Sequence, residues 1–267
     1  MTARRRRAAR RLMSRSAWED AEVSLTKAAR ARRPVLVAFD FDGTLAPIVS
    51  HPDRVHVPAA TLRYLRRATR LPWLRLAALS ARPLRDLARY LPLRGLLRVA
   101  QYGLEGDGRL EAARARAIRN GAASLRGRIE PVVGAIPGAW IEDKGLTIAV
   151  HLRDVATSRR GALTRALRRA ASRDDGLDFD LQRGRHVLDF VPTGYDKGRA
   201  LRRLRRRVRP AVTFYFGDTM GDEPAFAELG PSDFPVRVGA GPTGARYRVH
   251  GPDEVARFLR ALTEVAR

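Results

Sequence analysis

No cysteine occurs among the 267 residues, which excludes disulfides and thiolate metal sites and fits a reducing compartment. Long apolar runs are also missing, since no stretch approaches the roughly 18 residues that a membrane-spanning helix needs. The first 33 residues, headed by Arg4 to Arg7, lack the apolar segment of a secretory or twin-arginine signal. A cytoplasmic protein with no membrane association is therefore expected. RNA-binding aromatic signatures, zinc-finger spacings and internal repeats are absent as well. Lysine is scarce: of 52 basic residues only three are lysines, Lys27, Lys144 and Lys197. A position that keeps lysine against such a bias is a candidate for needing a compact ammonium rather than a planar fork.

What is present can bury a proper core, with 45% of the residues hydrophobic, and the length allows one large domain or a core plus a smaller one. The formal net charge of +24 raises the question of an anionic partner. Its arginines, however, are spread through every region and fall on helical patterns such as Ala162 to Ala171 and 201 to 209, where they would form solvated faces. A small-molecule partner is expected before nucleic acid, and a monomer.

Residues 1 to 16 are mostly Arg, Ala and Ser with little apolar periodicity, so residues 1 to 33 read as a basic, partly disordered leader, with a possible amphipathic helix over 17 to 31. Beyond it, apolar runs alternate with helical patterns: strands at 35 to 40, 74 to 80 and 96 to 101, helices at 58 to 70 and 83 to 91. That rhythm predicts a parallel sheet wrapped by helices. It breaks at YGLEGDG (102 to 108) and gives way to strand pairs joined by tight turns, with helices at 111 to 133 and 157 to 172. The parallel rhythm resumes with a helix from Lys197 and strands at 211 to 218, 234 to 239 and 247 to 250. The expected organisation is an α/β core, 34 to 103 with 191 to 267, interrupted by an α+β unit over 104 to 190.

Within VLVAFDFDGTLAP (35 to 47) an apolar strand ends in Asp40 and Asp42. Strand side chains alternate, so both carboxylates share a side, with backbones roughly 7 Å apart. Two acids so close repel each other, and a divalent cation is the simplest compensation. Ser80 ends the second strand, followed by Arg82; Lys197 opens a helix; Asp218 and Asp222 follow the strand FYFGD. In open parallel sheets ligands bind at the carboxyl ends of the strands, where these groups would converge. Bland readings exist for each. A strand-end Asp commonly caps a turn, Ser80 could cap the helix after Pro83, and Arg82 would be solvated unless it closes on Asp218 or Asp222. Lys197 is harder to explain, since a cation is unfavourable at the positive end of a helix dipole and needs a local anion.

Together DFDGT (40 to 44), LSARP (79 to 83), YDKG (195 to 198) and GDTMGDE (217 to 223) resemble the haloacid dehalogenase superfamily of phosphatases. A match such as D-x-D-G-T arises by chance about once in 10⁵ positions. The resemblance implies a Rossmann-like core with an inserted cap. Asp40 would be the nucleophile that forms an aspartyl phosphate, and Asp42 would donate a proton to the leaving group and later take one from water. Ser80 and Lys197 would hold the non-bridging phosphate oxygens. Mg²⁺ would be bound by Asp40, Asp218 and the main-chain carbonyl of Asp42, with Asp222 holding metal waters or binding directly.

The segments YGLEGDGRL, IEDKGLTIAVHLR (141 to 153) and HVLDFVPTGYDKG resemble, more narrowly, trehalose-6-phosphate phosphatases. That likeness implies Mg²⁺-dependent hydrolysis of trehalose 6-phosphate to trehalose and phosphate, the last step of trehalose biosynthesis. It also implies substrate contacts at Arg82, Gly103, Glu142, Lys144, His151, Arg153 and Asp189, and a cap that closes over the sugar. Four positions depart from the pattern: Gln101-Tyr102 stands for a frequent Asn-His, Asp189 for a frequent glutamate, and Ala81 for the usual glycine. Another sugar ester, of the mannosyl or sucrose phosphate type, and a basic nucleic-acid-binding protein on the same fold remain as alternatives.

Overall fold

A computed structural model describes residues 15–49, 51–107, 110–172 and 177–264. The chain forms two compact units, one from residues up to 108 together with 197 onward, the other from Arg109 to Asp196. Residues 1–14, the most basic part of the expected leader, lie outside the described residues. Its second half is a helix, α1 (Arg15–Arg30), whose Ala21, Leu25 and Ala28 are buried in the core of the first unit. No helix among the described residues is long and apolar enough to cross a membrane.

The first unit is built on a seven-stranded sheet in the order β11-β10-β9-β1-β2-β3-β4. The strands are β1 (Val35–Phe39), β2 (Leu74–Leu79), β3 (Leu96–Ala100), β4 (Glu105–Gly106), β9 (Val212–Gly217), β10 (Phe234–Val238) and β11 (Tyr247–Val249). All neighbours are parallel except β3 and β4. Every residue of β1 is buried, as expected of a central parallel strand covered on both faces. Val35, Val37 and Phe39 pack toward α1, α2 (Ala59–Ala68), α3 (Leu84–Tyr90) and α8 (Pro252–Glu264). Leu36 and Ala38 pack toward α6 (Lys197–Val208) and α7 (Glu223–Ala227). The chain runs outward from β1 through β2 and β3, then returns to place β9 on β1's other side. That reversal opens a crevice at the carboxyl ends of β1 and β9.

The second unit has a four-stranded antiparallel sheet, β5-β6-β8-β7, from β5 (Trp140–Asp143), β6 (Ile148–His151), β7 (Phe179–Arg183) and β8 (Val187–Pro192). Ile148, Val150, Leu188 and Phe190 pack with residues of α4 (Ala112–Gly134) and α5 (Thr157–Ala171) into a separate core.

Two expectations need correction. The insertion does not span 104 to 190. Glu105–Gly106 pairs with β3 and Glu105 accepts the Leu84 N–H at 2.7 Å, so these residues belong to the first unit. At the other end β8 stays paired with β7 through Pro192. The arginines of α6 are also not simply solvated: Arg202 pairs with Glu228, Arg205 with Asp233 at 2.7 Å and Arg207 with Asp107 at 3.0 Å.

Candidate active site

The backbone after β1 is fixed before any side chain is considered. Asp40 N–H donates to the Phe216 carbonyl at 2.8 Å, which ties the strand end to β9. The Phe41 carbonyl accepts from the amides of Leu45 and Ala46, both at 3.0 Å, closing a tight loop. Gly43 in that loop has φ +82°, and a Cβ there would lie 2.2 Å from Asp218 Oδ2. The glycine therefore serves two needs, a left-handed turn and the close approach of Asp218.

Lys197, the first residue of α6, is buried and donates to Asp40 Oδ1 and Asp222 Oδ1, each at 2.7 Å. The anion required by its place at a helix start is thus present twice. Asp222 is saturated: Oδ1 also accepts from Tyr215 OH at 2.8 Å, and Oδ2 accepts from Thr219 N–H at 2.9 Å and Thr219 Oγ1 at 3.1 Å. By contrast Asp218 Oδ1 is buried with no hydrogen-bond partner. One carboxylate oxygen each from Asp40, Asp218 and Asp222 lies within 4.8 Å of the others.

These surroundings divide the three acids. Burial raises Asp222, but Lys197, the Thr219 amide and Tyr215 outweigh it and hold the carboxyl below its usual range. Asp40 stands well above its usual value because burial and the charges of Asp222 and Asp218 exceed the pull of Lys197. Asp218 is pushed up to about 6 by burial and Asp222. Lys197 is raised, since Asp222 and Asp40 overcome its burial. One ammonium therefore cannot neutralise three clustered carboxylates, and the orphaned Asp218 oxygen points to a second cation. Hard oxygen donors of this kind suit Mg²⁺.

Ser80 is buried at the end of β2, and its Oγ accepts the Arg82 N–H at 3.1 Å. It does not cap α3, whose N-cap is Pro83. Arg82 is neither solvated nor closed on Asp218 or Asp222. Its Nε and Nη2 donate to Asp42 Oδ2 and Oδ1 at 2.7 and 2.8 Å, and its guanidinium lies 5.4 Å from the ring centres of both Phe41 and Tyr90. A planar fork matches a carboxylate with two parallel bonds and stacks on aromatic faces. Gln101, Tyr102 and Gly103 follow with φ of 43°, 59° and 91°. Two adjacent non-glycine residues in the left-handed region are costly, and they are held by amide bonds to the carbonyls of Arg82 at 3.0 Å and Ser80 at 3.2 Å.

In the second unit, four of the expected residues form two pairs. Lys144 Nζ donates to Asp189 Oδ1 at 2.7 Å, with both side chains buried. Glu142 Oε2 lies 2.8 Å from His151 Nε2. Arg153 is exposed in the turn after β6, where its carbonyl accepts from Arg160 at 2.9 Å. Sequence reasoning missed Tyr215 and Thr219, which fix Asp222. A tyrosine within the apolar run VTFYFG was the available signal, since a buried hydroxyl needs a partner.

A sequence-family profile described as trehalose-phosphatase matches residues 38–252. The trehalose-phosphate phosphatase of Mycobacterium ulcerans is 35% identical over 246 residues, covering 85% of this chain and 60% of that protein. Its namesake in Mycobacterium tuberculosis is 33% identical over 257 residues, covering 89% and 63%. The chain thus spans about three fifths of the length of these curated relatives. Among solved structures, the C-terminal domain of C. albicans trehalose-6-phosphate phosphatase superposes with a TM-score of 0.77 at 19% identity, covering 91% of this chain and 96% of that one. A haloacid dehalogenase-like hydrolase from Bacteroides thetaiotaomicron gives 0.55 at 17% identity, covering 86% and 100%. At such identities the structures speak for the fold, a haloacid dehalogenase-like core with a second α+β unit, while the profile match over most of the length speaks for descent: this chain belongs to the trehalose-phosphatase family.

Proposed function

We propose that the chain is a Mg²⁺-dependent phosphatase that hydrolyses trehalose 6-phosphate to trehalose and phosphate through an aspartyl phosphate on Asp40. The observation that carries this reading is the Asp40 carboxylate at the carboxyl end of β1, 2.7 Å from Lys197 and clustered with Asp218 and Asp222. The choice of sugar rests on the family and on the names its relatives bear.

In the first step a carboxylate oxygen of Asp40 attacks phosphorus and the bond to the sugar oxygen breaks. Asp42, in its protonated form, gives that oxygen its proton. In the second step the Asp42 carboxylate takes a proton from water as the water oxygen attacks phosphorus, which frees Asp40 and releases phosphate. The two bonds from Arg82 to Asp42 suit the carboxylate form that the second step needs; the first step requires that grip to open. Lys197 and Ser80 hold the non-bridging oxygens, and Asp222 fixes Lys197. Mg²⁺, held by Asp40, Asp218 and the Asp42 carbonyl with Asp222 beside it, would offset the charge of carboxylates and phosphate when bound. Arg82, Gly103, Glu142, Lys144, His151, Arg153 and Asp189 read the sugar.

Phosphate release from a panel of sugar phosphates, with and without Mg²⁺, tests this. Trehalose 6-phosphate should be hydrolysed best and only with the cation. Faster turnover of a mannosyl or sucrose phosphate would retain the chemistry and reject the sugar assignment. No release from any ester would reject both.

A further inference from the structure

The sheet of the second unit has two unlike faces. Ile141, Val150 and Leu188 are in register on one face, with Ile148 and Phe190 beside them, and this face packs on the helices. The other face carries Trp140 opposite His151, and Glu142 in line with Ala149 and Asp189. Trp140, at the edge of that face in the row Trp140–His151–Val187, is a large apolar side chain with 38% of its surface exposed. Its ring lies flat on the imidazole of His151, with centres 3.7 Å apart and planes 6° from parallel.

We propose that Trp140 is a positioning residue for sugar recognition, acting through His151; this rests on the phosphatase reading above. Two restraints act on one imidazole. The indole fixes the plane of the ring, and Glu142 on Nε2 at 2.8 Å fixes its rotation within that plane. A carboxylate only accepts, so a proton sits on Nε2, and the Nε2–H tautomer presents Nδ1 as an acceptor. Lys144, anchored on Asp189, offers only donors. The same sheet face thus supplies an oriented acceptor and an oriented donor, a set that suits vicinal sugar hydroxyls, each of which can donate and accept. A cross-strand aromatic pair also stabilises a sheet, so the test must separate folding from recognition.

The tautomer is read first, without activity, from the imidazole ¹⁵N shifts of His151 in the full chain. The wild type should show a single Nε2–H form and Trp140→Leu a mixture of tautomers. In kinetics, Trp140→Leu should raise the KM for trehalose 6-phosphate, relative to that for p-nitrophenyl phosphate, by about fivefold or more, the scale of one oriented hydrogen bond. Trp140→Phe, which keeps a stacking ring, should restore most of it. In a His151→Ala background Trp140→Leu should add nothing further. A wild-type His151 with mixed tautomers or a proton on Nδ1 overturns the proposal even if Trp140→Leu does not fold. So does a variant that melts earlier but keeps both the tautomer and the KM ratio. If the wild type prefers another sugar ester, the substrate assignment fails while the tautomer still decides the role of Trp140.

Discussion

Arg82 grips both carboxylate oxygens of Asp42, at 2.7 and 2.8 Å, from a seat between Phe41 and Tyr90. The pair joins the end of β2 to the loop after β1 and fixes the residue assigned to proton transfer. Lysine at this site would keep the charge and lose the fork. Arg82→Lys should therefore lower kcat by about tenfold with a smaller loss of stability, because Asp42 is partly exposed and its pairing is partly screened. Steady-state kinetics with a melting curve checks it, and an unchanged kcat would reduce Arg82 to a structural tie.

Gly43 leaves no room for a side chain beside Asp218. A Cβ only 2.2 Å from Oδ2, at φ +82°, would push the acid out of the cluster and strain the turn. Gly43→Ala should abolish the Mg²⁺-induced rise in melting temperature and cut turnover by about a hundredfold or more, the scale of a misplaced reacting group. A variant that still gains stability from Mg²⁺ would show that Asp218 does not need this approach.

The raised acids fix a pH dependence. Asp40 and Asp218 have folded pKa values above the ordinary 3.8, Asp218 at about 6. Without a cation the fold binds more protons at these sites than the unfolded chain does. The contribution of Asp218 to stability is therefore complete below about pH 4 and lost as pH rises through about 6, and that of Asp40 is lost in the same sense as pH rises through its own raised value. A cation must displace those protons, so Mg²⁺ should raise the melting temperature more at pH 7.5 than at pH 5. An equal or larger rise at pH 5 would count against the cluster as the metal site.

Tyr215 donates to Asp222 at 2.8 Å inside the core. Tyr215→Phe removes one of four donors on that carboxylate, and should cost about 1–2 kcal/mol of stability with a modest loss of kcat, since Lys197 keeps its partner. Denaturant unfolding checks this. A collapse of activity with unchanged stability would give the hydroxyl a direct part in the chemistry.

Much of this was legible in the chain itself. The uninterrupted apolar runs of β1 and β9 are the mark of strands buried on both faces, and Asp40 and Asp218, the residues that directly follow them, fall in one cluster, whereas Asp42, in the loop beyond β1, pairs with Arg82. Lys197 could be singled out because a cation at a helix start needs anions nearby. What pattern could not supply was partner choice. Nothing in spacing said that Arg82 would reach Asp42 rather than Asp218, since that depends on how the loops after β1 and β2 meet. Nor could it foresee Trp140 on His151, because cross-strand register is set by the turn at Lys144-Gly145. The insertion's ends were misplaced for the same reason: a two-residue strand such as β4 has too little pattern to be seen.

The central claim is a phosphoryl group carried on one named oxygen donor. The enzyme should be mixed with trehalose 6-phosphate and Mg²⁺, quenched in acid within a single turnover, and reduced with borohydride, which converts an acyl phosphate to the alcohol. Peptide mass spectrometry should then find homoserine at position 40, and none in Asp40→Asn. Turnover with an unmodified Asp40, or with the label on another residue, would contradict the mechanism.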